Sequence, residues 1–180
     1  MKSNRRDFLK RATIAGAGAV AGSMIQGCAP GLPESNMANI LEAVKKSHSQ
    51  KFNMSGYGAP ALSLVRIGII GLGDRGSGAV DRLSKIEGVV ITALGDKREV
   101  AVKESQKYLQ KIGRPAAEEF FGSEDAWKKL VELPDLDLIY TCPPWILHTP
   151  ICLYAMEHGK HVASEVPIAR TIDEAWQLGE

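Results

Sequence analysis

From residue 64 onward, apolar residues alternate between two kinds of spacing along the chain. Short apolar runs, typical of strands buried on both faces, predict strands at 65–70, 89–94, 119–121, 136–142 and 160–164. Between them, apolar residues recur every three or four positions, which predicts helices at 77–86, 98–112, 123–133 and 146–158. Ser123 is expected to cap the third of these helices.

The last part of the chain adds one more helix, because Thr171 and Glu174 have the spacing of a capping box. Strand and helix therefore alternate from residue 64 to residue 180. This order is typical of α/β proteins, since each parallel strand is reached through a right-handed crossover. The sequence predicts a Rossmann-type, doubly wound parallel sheet over residues 64–180.

Residues 1–27 have a different pattern. Arg5 and Arg6 lie in a charged segment, and residues 12–27 carry no charge and are only moderately apolar. The uncharged stretch falls short of the roughly 20 strongly apolar residues that a spanning helix needs. The pattern resembles a twin-arginine (Tat) export signal, which predicts recognition by the Tat export machinery and a periplasmic location. The alternative is a basic N-terminal helix of a cytosolic protein.

The segment 25–28 resembles a lipobox that ends at Cys28, although Gln26 is unusual in such a motif. Lipidation of Cys28 would anchor the protein to a membrane by acyl chains, and cleavage elsewhere would leave this cysteine unmodified. Cys142 and Cys152 fall in a predicted strand and a predicted helix, so we expect small buried hydrophobes and no disulfide. The sequence has no His/Cys spacing typical of zinc ligands, and no metal site is predicted.

Residues 28–63 are rich in Pro, Gly, Ser and Asn and predict a linker between the signal and the fold. Within the linker, an amphipathic helix is predicted from four apolar residues at helical spacing, Met37, Ile40, Leu41 and Val44. The predicted organisation is therefore an export signal at 1–27, a linker at 28–63 and one folded domain at 64–180.

Composition and charge exclude several classes of protein. Hydrophobic residues make up 44% of the 180 residues and charged residues 24%, which argues against a disordered chain and a polytopic membrane protein. The net charge is +1, but residues 1–11 carry five basic groups and one acid, so the remainder is −3. A mildly acidic body gives no electrostatic reason to bind nucleic acid.

Residues 71–76 form a Gly-x-Gly-x-x-Gly motif that directly follows the first predicted strand and precedes a helix. Gly71 permits a tight turn, Gly73 lets the backbone approach a pyrophosphate, and Gly76 lets the helix pack on the strand. Asp74 and Arg75 lie inside the same loop. The helix N-terminus then offers free N–H groups to phosphates. A glycine turn in a βαβ unit that binds no nucleotide is the alternative.

Asp96 lies at the end of the second predicted strand, 20 residues after Gly76. A carboxylate there can accept hydrogen bonds from the adenosine ribose hydroxyls and repels a 2′-phosphate, so the sequence favours NAD over NADP. Lys97 and Arg98 follow directly, and their positive charges could soften this preference.

Two further segments should reach the crevice at the carboxyl ends of the strands. His148, after the fourth strand, either donates to a ribose or phosphate or is a structural capping group. Trp145 either packs on the cofactor or covers the sheet edge. Glu165, after the fifth strand, is the stronger candidate, since packing does not explain a carboxylate there.

Over residues 64–180 the chain resembles the glucose–fructose oxidoreductase and inositol dehydrogenase superfamily. The likeness rests on the glycine motif, Asp96, the segment from Thr141 to His148 and the Glu165-Val166-Pro167 turn. Most members have lysine where this chain has Val166, and that lysine helps proton transfer at the substrate hydroxyl. The departure puts an ordinary dehydrogenase role in doubt.

Within this superfamily the chain resembles glycoside hydrolase family 109 in its glycine motif, in Trp145-x-x-His148 and in Glu165-Val166-Pro167. The resemblance implies an exported α-N-acetylgalactosaminidase that recycles a tightly held NAD. In that family the sugar C3 hydroxyl is oxidised, the glycosidic bond is lost by elimination, water adds, and the ketone is reduced. The resemblance further implies that the chain is the N-terminal cofactor domain of a longer two-domain protein.

By the same resemblance, nine positions match the family's NAD contacts: Asp74, Arg75, Asp96, Trp145, Ile146, Leu147, His148, Glu165 and Val166. The family's catalytic His and Tyr belong to its later substrate domain, so no catalytic residue is predicted here. The expected substrate is a glycan or glycoside. The sequence is compatible with a homo-oligomer but does not define the oligomeric state. An exported sugar or polyol oxidoreductase that consumes NAD(P), and a non-catalytic nucleotide-binding module, stand as alternatives.

Overall fold

The computed structural model describes residues 56–180 together with Ala38, Asn39 and Glu42, which are helical and exposed. The export signal, the lipobox and the four apolar residues of the predicted linker helix lie outside the described residues. Within residues 56–180 the five strands are β1 (Val65–Ile70), β2 (Val89–Gly95), β3 (Glu118–Phe120), β4 (Leu138–Thr141) and β5 (His161–Ser164). The helices of the same range are α1 (Asp74–Leu83), α2 (Glu99–Lys111), α3 (Ala126–Val131), α4 (His148–Glu157) and α5 (Ile172–Gly179), with a 3-10 turn at Trp145–Leu147.

All five strands form one parallel sheet in the order β3-β2-β1-β4-β5. The chain starts at the central strand β1, moves outward to β3, and then returns to the other side of β1. The strand order therefore reverses between β1 and β4, which is where a doubly wound sheet leaves a crevice at its carboxyl edge. The predicted α/β fold with a doubly wound parallel sheet is confirmed.

An apolar layer covers each face of the sheet. One cluster contains Ile69 and Val102 and lies under α1 and α2. The other contains Leu130 and Ile151 and lies under α3 and α4. Because both faces are buried, the central strands are nearly continuous apolar runs, as their sequence indicated.

A β-bulge in β2 changes which residues face each layer. Ile67 pairs with Ile91 but the next residue of β1 pairs with Ala93, so Thr92 is the extra residue. As a result, Ile91 and Leu94 both join the cluster under α1, whereas Ala93 joins the other. The Thr92 hydroxyl is buried and has no hydrogen-bond partner among the described residues.

Helix ends differ from the predicted ones where local backbone replaces the expected cap. α1 begins at Asp74 rather than at residue 77, because Gly73 itself is the N-cap. The expected capping of the third helix by Ser123 is wrong. The helix begins at Ala126, after Asp125, and Ser123 accepts the Ala126 N–H through its backbone carbonyl. The capping box at the start of α5 is confirmed, with the side chain of Thr171 accepting the Glu174 N–H at 3.1 Å.

Cys142 and Cys152 are both free thiols, as expected, and Cys152 is fully buried in α4. In the part of the chain that the structure describes, no helix combines the length and the apolar character that a membrane span requires.

The close packing of Gly95 against Leu130 gives a test of the sheet. A Cβ added at Gly95 would lie 2.9 Å from the Leu130 side chain, and its next neighbours are at least 3.8 Å away. We expect Gly95→Ala to lower the free energy of unfolding by about 1–3 kcal/mol through overpacking. In a Leu130→Ala background this cost should vanish, which a double-mutant cycle from chemical denaturation measures. Equal costs in both backgrounds would contradict the packing.

Candidate functional site

A cavity of about 450 Å³ opens at the carboxyl edge of the sheet, at the point where the strand order reverses. Six of the predicted site residues line it: Gly71, Gly73, Asp74, Arg75, Asp96 and Leu147. The loops after β1, β2 and β4 bring these residues together. The cavity therefore lies where ligands bind in open α/β sheets.

The glycine loop has the geometry that its spacing predicts. Gly71 has a φ of +85°, a left-handed conformation that an L side chain rarely adopts. A Cβ on Gly76 would lie 1.8 Å from the Gly71 carbonyl oxygen, so α1 approaches the turn as closely as two backbones allow. At Gly73, by contrast, a Cβ would meet only the Arg98 guanidinium, at 3.9 Å. The backbone at Gly73 is thus open to a ligand.

The N-terminus of α1 points into this open space. Gly73 is its N-cap and provides no side-chain hydrogen bond, and the first helical bond runs from the Ser77 N–H to the Gly73 carbonyl at 2.8 Å. The N–H groups before Ser77 have no acceptor within the helix. Together with the helix dipole they favour an anionic group such as a pyrophosphate. Asp74 and Arg75 add one negative and one positive charge beside this helix N-terminus.

Asp96 joins the glycine loop to the loop after β2. One carboxylate oxygen accepts the Leu72 N–H at 2.7 Å, and the other accepts the Arg98 N–H at 2.9 Å and its side-chain N–H at 3.2 Å. Burial alone would raise the pKa of Asp96, but the hydrogen bonds from Arg98 and Leu72 outweigh it, and the pKa is lowered. The group is therefore an anion at neutral pH and accepts hydrogen bonds only.

The two cations after Asp96 are both engaged in ion pairs. Arg98 is bound to Asp96 itself, and the Lys97 ammonium lies 3.1 Å from a carboxylate oxygen of Glu124. All four side chains line the cavity. The positive charges that could soften the preference for NAD are thus each paired with a carboxylate in this structure.

His148 is 1% exposed, at the start of α4, and does not line the cavity. Its Nδ1 lies 2.8 Å from the Pro167 carbonyl oxygen and its Nε2 lies 2.8 Å from the Pro143 carbonyl oxygen. Of the two roles that the sequence left open, this geometry is that of the structural group. The ring joins the loop after β4 to the loop after β5, and in this arrangement neither nitrogen faces a cofactor.

Glu165 lies beyond the end of β5, where Tyr140 donates a hydrogen bond to its carboxylate at 3.0 Å and Arg82 lies 3.9 Å away. Burial, together with this hydrogen bond, raises the pKa of Tyr140, which stays a phenol donor at neutral pH. No sequence pattern points to Tyr140 or Arg82, because both reach Glu165 only through the fold.

Besides His148, four predicted contacts lie outside the cavity lining. Trp145 and Ile146 form the exposed 3-10 turn before α4, Val166 is 80% exposed after β5, and Glu165 is beside it. These residues surround the carboxyl edge rather than the cavity floor. Gly76 is buried beneath the glycine turn.

The cavity also includes residues that sequence reasoning missed. Glu124 and Trp127 come from the segment after β3, and Pro143 and Pro144 from the loop after β4. Only their place in the chain, directly after a parallel strand, could have indicated these residues, since the segment after each parallel strand reaches the same edge of the sheet.

Cys142 is a lining residue that is not suited to nucleophilic chemistry. Burial raises the pKa of its thiol to about 12, and the nearby Glu165 carboxylate acts in the same direction. The thiolate is the reactive form of cysteine, so this side chain is a small apolar group at neutral pH.

These features fit a dinucleotide. An open glycine backbone at a helix N-terminus suits the pyrophosphate, and an ionised carboxylate 9% exposed suits the hydroxyls of the adenosine ribose. Around them the cavity wall is largely apolar, as expected for ring binding.

Comparison with known proteins gives the same assignment. A family described as oxidoreductase family, NAD-binding Rossmann fold, matches residues 65–180. A glycosyl hydrolase family 109 protein of Porphyromonas gingivalis is 56% identical over 119 residues, 66% of this chain and 25% of the relative. An alpha-N-acetylgalactosaminidase of Bacteroides fragilis is 46% identical over 123 residues, 68% of this chain and 29% of the relative. The resemblance to glycoside hydrolase family 109 is thereby confirmed.

Among solved structures, a myo-inositol dehydrogenase of Lactobacillus casei in complex with NAD(H) and myo-inositol has a TM-score of 0.56 and 23% identity. The match covers 64% of this chain and 32% of that one and shows the shared fold. The chain spans between a quarter and a third of the length of the relatives named here. The glycine turn, the ionised Asp96 and the family match together place the chain in the oxidoreductase family with an NAD-binding Rossmann fold, and NAD is its cofactor.

Proposed function

We propose that this chain is the cofactor domain of an exported α-N-acetylgalactosaminidase whose NAD is recycled within each turnover. The observation that carries the proposal is the dinucleotide-binding cavity in a chain 46% identical to an alpha-N-acetylgalactosaminidase and 56% identical to a family 109 protein. The reaction proposed is transient oxidation at the sugar C3, elimination of the glycosidic bond, addition of water and re-reduction.

This chain's own residues hold and aim the cofactor in that scheme. The N-terminus of α1 binds the pyrophosphate, and Asp96 accepts the ribose hydroxyls while it fixes the glycine loop through Leu72. When bound, NAD would accept a hydride from the sugar and return it. Leu147 and Ile151 line the apolar wall at the end of the cavity near β4, and exclude water there.

At the exposed rim, Trp145, Ile146, Val166 and Glu165 are proposed to contact the nicotinamide half of the cofactor. Tyr140 and Arg82 hold the Glu165 carboxylate, so its charge stays at a fixed place. We assign the sugar-binding and catalytic residues to a second, substrate domain, as the resemblance implies.

A second candidate is a sugar or polyol oxidoreductase that consumes NAD(P). The family match and the fold shared with an inositol dehydrogenase favour it. Against it stands Val166, an aliphatic side chain 80% exposed at the position where most members carry the proton-transferring lysine. A valine cannot move a proton, and the glycosidase is therefore preferred.

The proposed location follows from the sequence of residues 1–28. Arg5 and Arg6 would direct export by the Tat machinery, and Cys28 would carry an acyl anchor, which gives a periplasmic or membrane-anchored lipoprotein. Tat export carries folded proteins, so NAD can be loaded before transport and must then be retained.

Redox-neutral turnover separates the two candidates. The full protein that contains this chain should release the chromophore of an α-N-acetylgalactosaminide with no added NAD. The absorbance of reduced nicotinamide should stay constant over many turnovers, because each hydride is returned. Activity that requires added NAD and yields one NADH per product would overturn the glycosidase proposal.

Loss of the Asp96 carboxylate should strip the cofactor from the protein. We expect Asp96→Ala to lower bound NAD at least about tenfold, since hydrogen bonds to a charged acceptor contribute about 1.5–3 kcal/mol each. Bound NAD is quantified by chromatography after acid release. Asp137→Ala is the matched control, because that carboxylate also accepts a backbone N–H, from Arg66 at 2.7 Å, but lies outside the cavity. Equal NAD content in the wild type and Asp96→Ala would contradict the ribose assignment.

Export is tested at the paired arginines. Replacement of Arg5 and Arg6 by lysine keeps the charge but removes the twin-arginine motif. We expect the variant to remain in the cytoplasm, as measured by cell fractionation. The Lys2→Arg variant, also in the basic segment, should be exported normally. Normal export of the double-lysine variant would remove the Tat assignment.

A further inference from the structure

Two cationic side chains, one lysine and one arginine, lie where they could affect the selection between NAD and NADP. Lys97 and Arg98 directly follow Asp96 at the carboxyl end of β2, and both line the cavity. In dinucleotide folds this is where the ribose 2′ position lies. A free cation there would attract the 2′-phosphate of NADP, so the state of these two charges decides how well NADP is rejected.

Each cation has a carboxylate partner, and the two partners come from different parts of the fold. Arg98 is bound at 3.2 Å by Asp96, the carboxylate already expected to repel a 2′-phosphate. Lys97 is bound at 3.1 Å by Glu124, which lies 27 residues further along, in the segment between β3 and α3. The sequence motif includes only the first of these pairs.

We propose that Glu124 is a specificity-determining residue that makes the site select NAD over NADP by holding Lys97. A 2′-phosphate can bind Lys97 only in competition with the Glu124 carboxylate, whose charge also repels it. The proposal depends on NAD binding by this domain and is independent of the reaction that the whole protein performs.

The neighbouring residue shows why position matters. Asp125 is also an exposed carboxylate with a lysine partner, Lys128, at 3.0 Å. However, Asp125 does not line the cavity, whereas Glu124 does. The two residues therefore provide a matched pair with the same charge and a similar ion pair, of which only one faces the cofactor.

The experiment measures cofactor selection by binding. The full protein that contains this chain is dialysed to equilibrium against equal concentrations of NAD and NADP, and the bound dinucleotides are quantified after acid release. We expect Glu124→Gln to raise the bound NADP:NAD ratio about fivefold, the upper size of an interaction between two exposed charges. Because both side chains are exposed, the variant should fold normally, which its thermal unfolding checks.

Two further variants decide the mechanism. Asp125→Asn should leave the ratio unchanged. In a Lys97→Met background, Glu124→Gln should have a smaller effect, because the cation that it releases is gone. An unchanged ratio in Glu124→Gln would overturn the proposal, as would an equal rise in Asp125→Asn. An undiminished effect in the Lys97→Met background would also overturn it, since Glu124 would then not act through Lys97.

Discussion

The contact between Gly76 and the Gly71 carbonyl is the constraint on which the site depends. A Cβ at position 76 would lie only 1.8 Å from the Gly71 carbonyl oxygen. Only glycine there lets α1 begin directly against the turn after β1. That approach fixes where the helix N-terminus points, and hence where its free N–H groups present their partial positive charge. A side chain at this position would displace α1 and move the anion site away from the cavity.

Asp96 fixes the position of the glycine loop relative to the loop after β2. Its carboxylate accepts the N–H of Leu72, inside the glycine loop, and pairs with Arg98 at the start of the next helix. One anion thus holds two loops together and keeps its low pKa through the same hydrogen bonds. In the proposed function, structural and ligand-binding roles coincide in this residue, because an ionised carboxylate has enough lone pairs to accept from both the backbone and a ribose.

The sequence predicted features whose causes are local. The glycine roles follow from the turn and the helix start, and the strands follow from apolar runs bounded by polar residues. Other features depend on distant parts of the chain. The Lys97–Glu124 pair spans 27 residues, and the bulge at Thr92 changes which face the following β2 residues occupy, in a run without polar–apolar alternation. Ser123 has the residue type of a cap, but the helix begins after Asp125, so residue type alone was not sufficient.

A cofactor that is recycled must also be retained, and the rim of the cavity is where retention would be decided. His148 is buried between the carbonyls of Pro143 and Pro167 and so links the loops after β4 and β5. Pro143 lines the cavity, and Val166 lies next to Pro167. Movement of either loop would pull a carbonyl oxygen away from this buried ring, and loss of a hydrogen bond there carries a cost. His148 therefore contributes to the site through the rigidity of its rim rather than through contact with a cofactor.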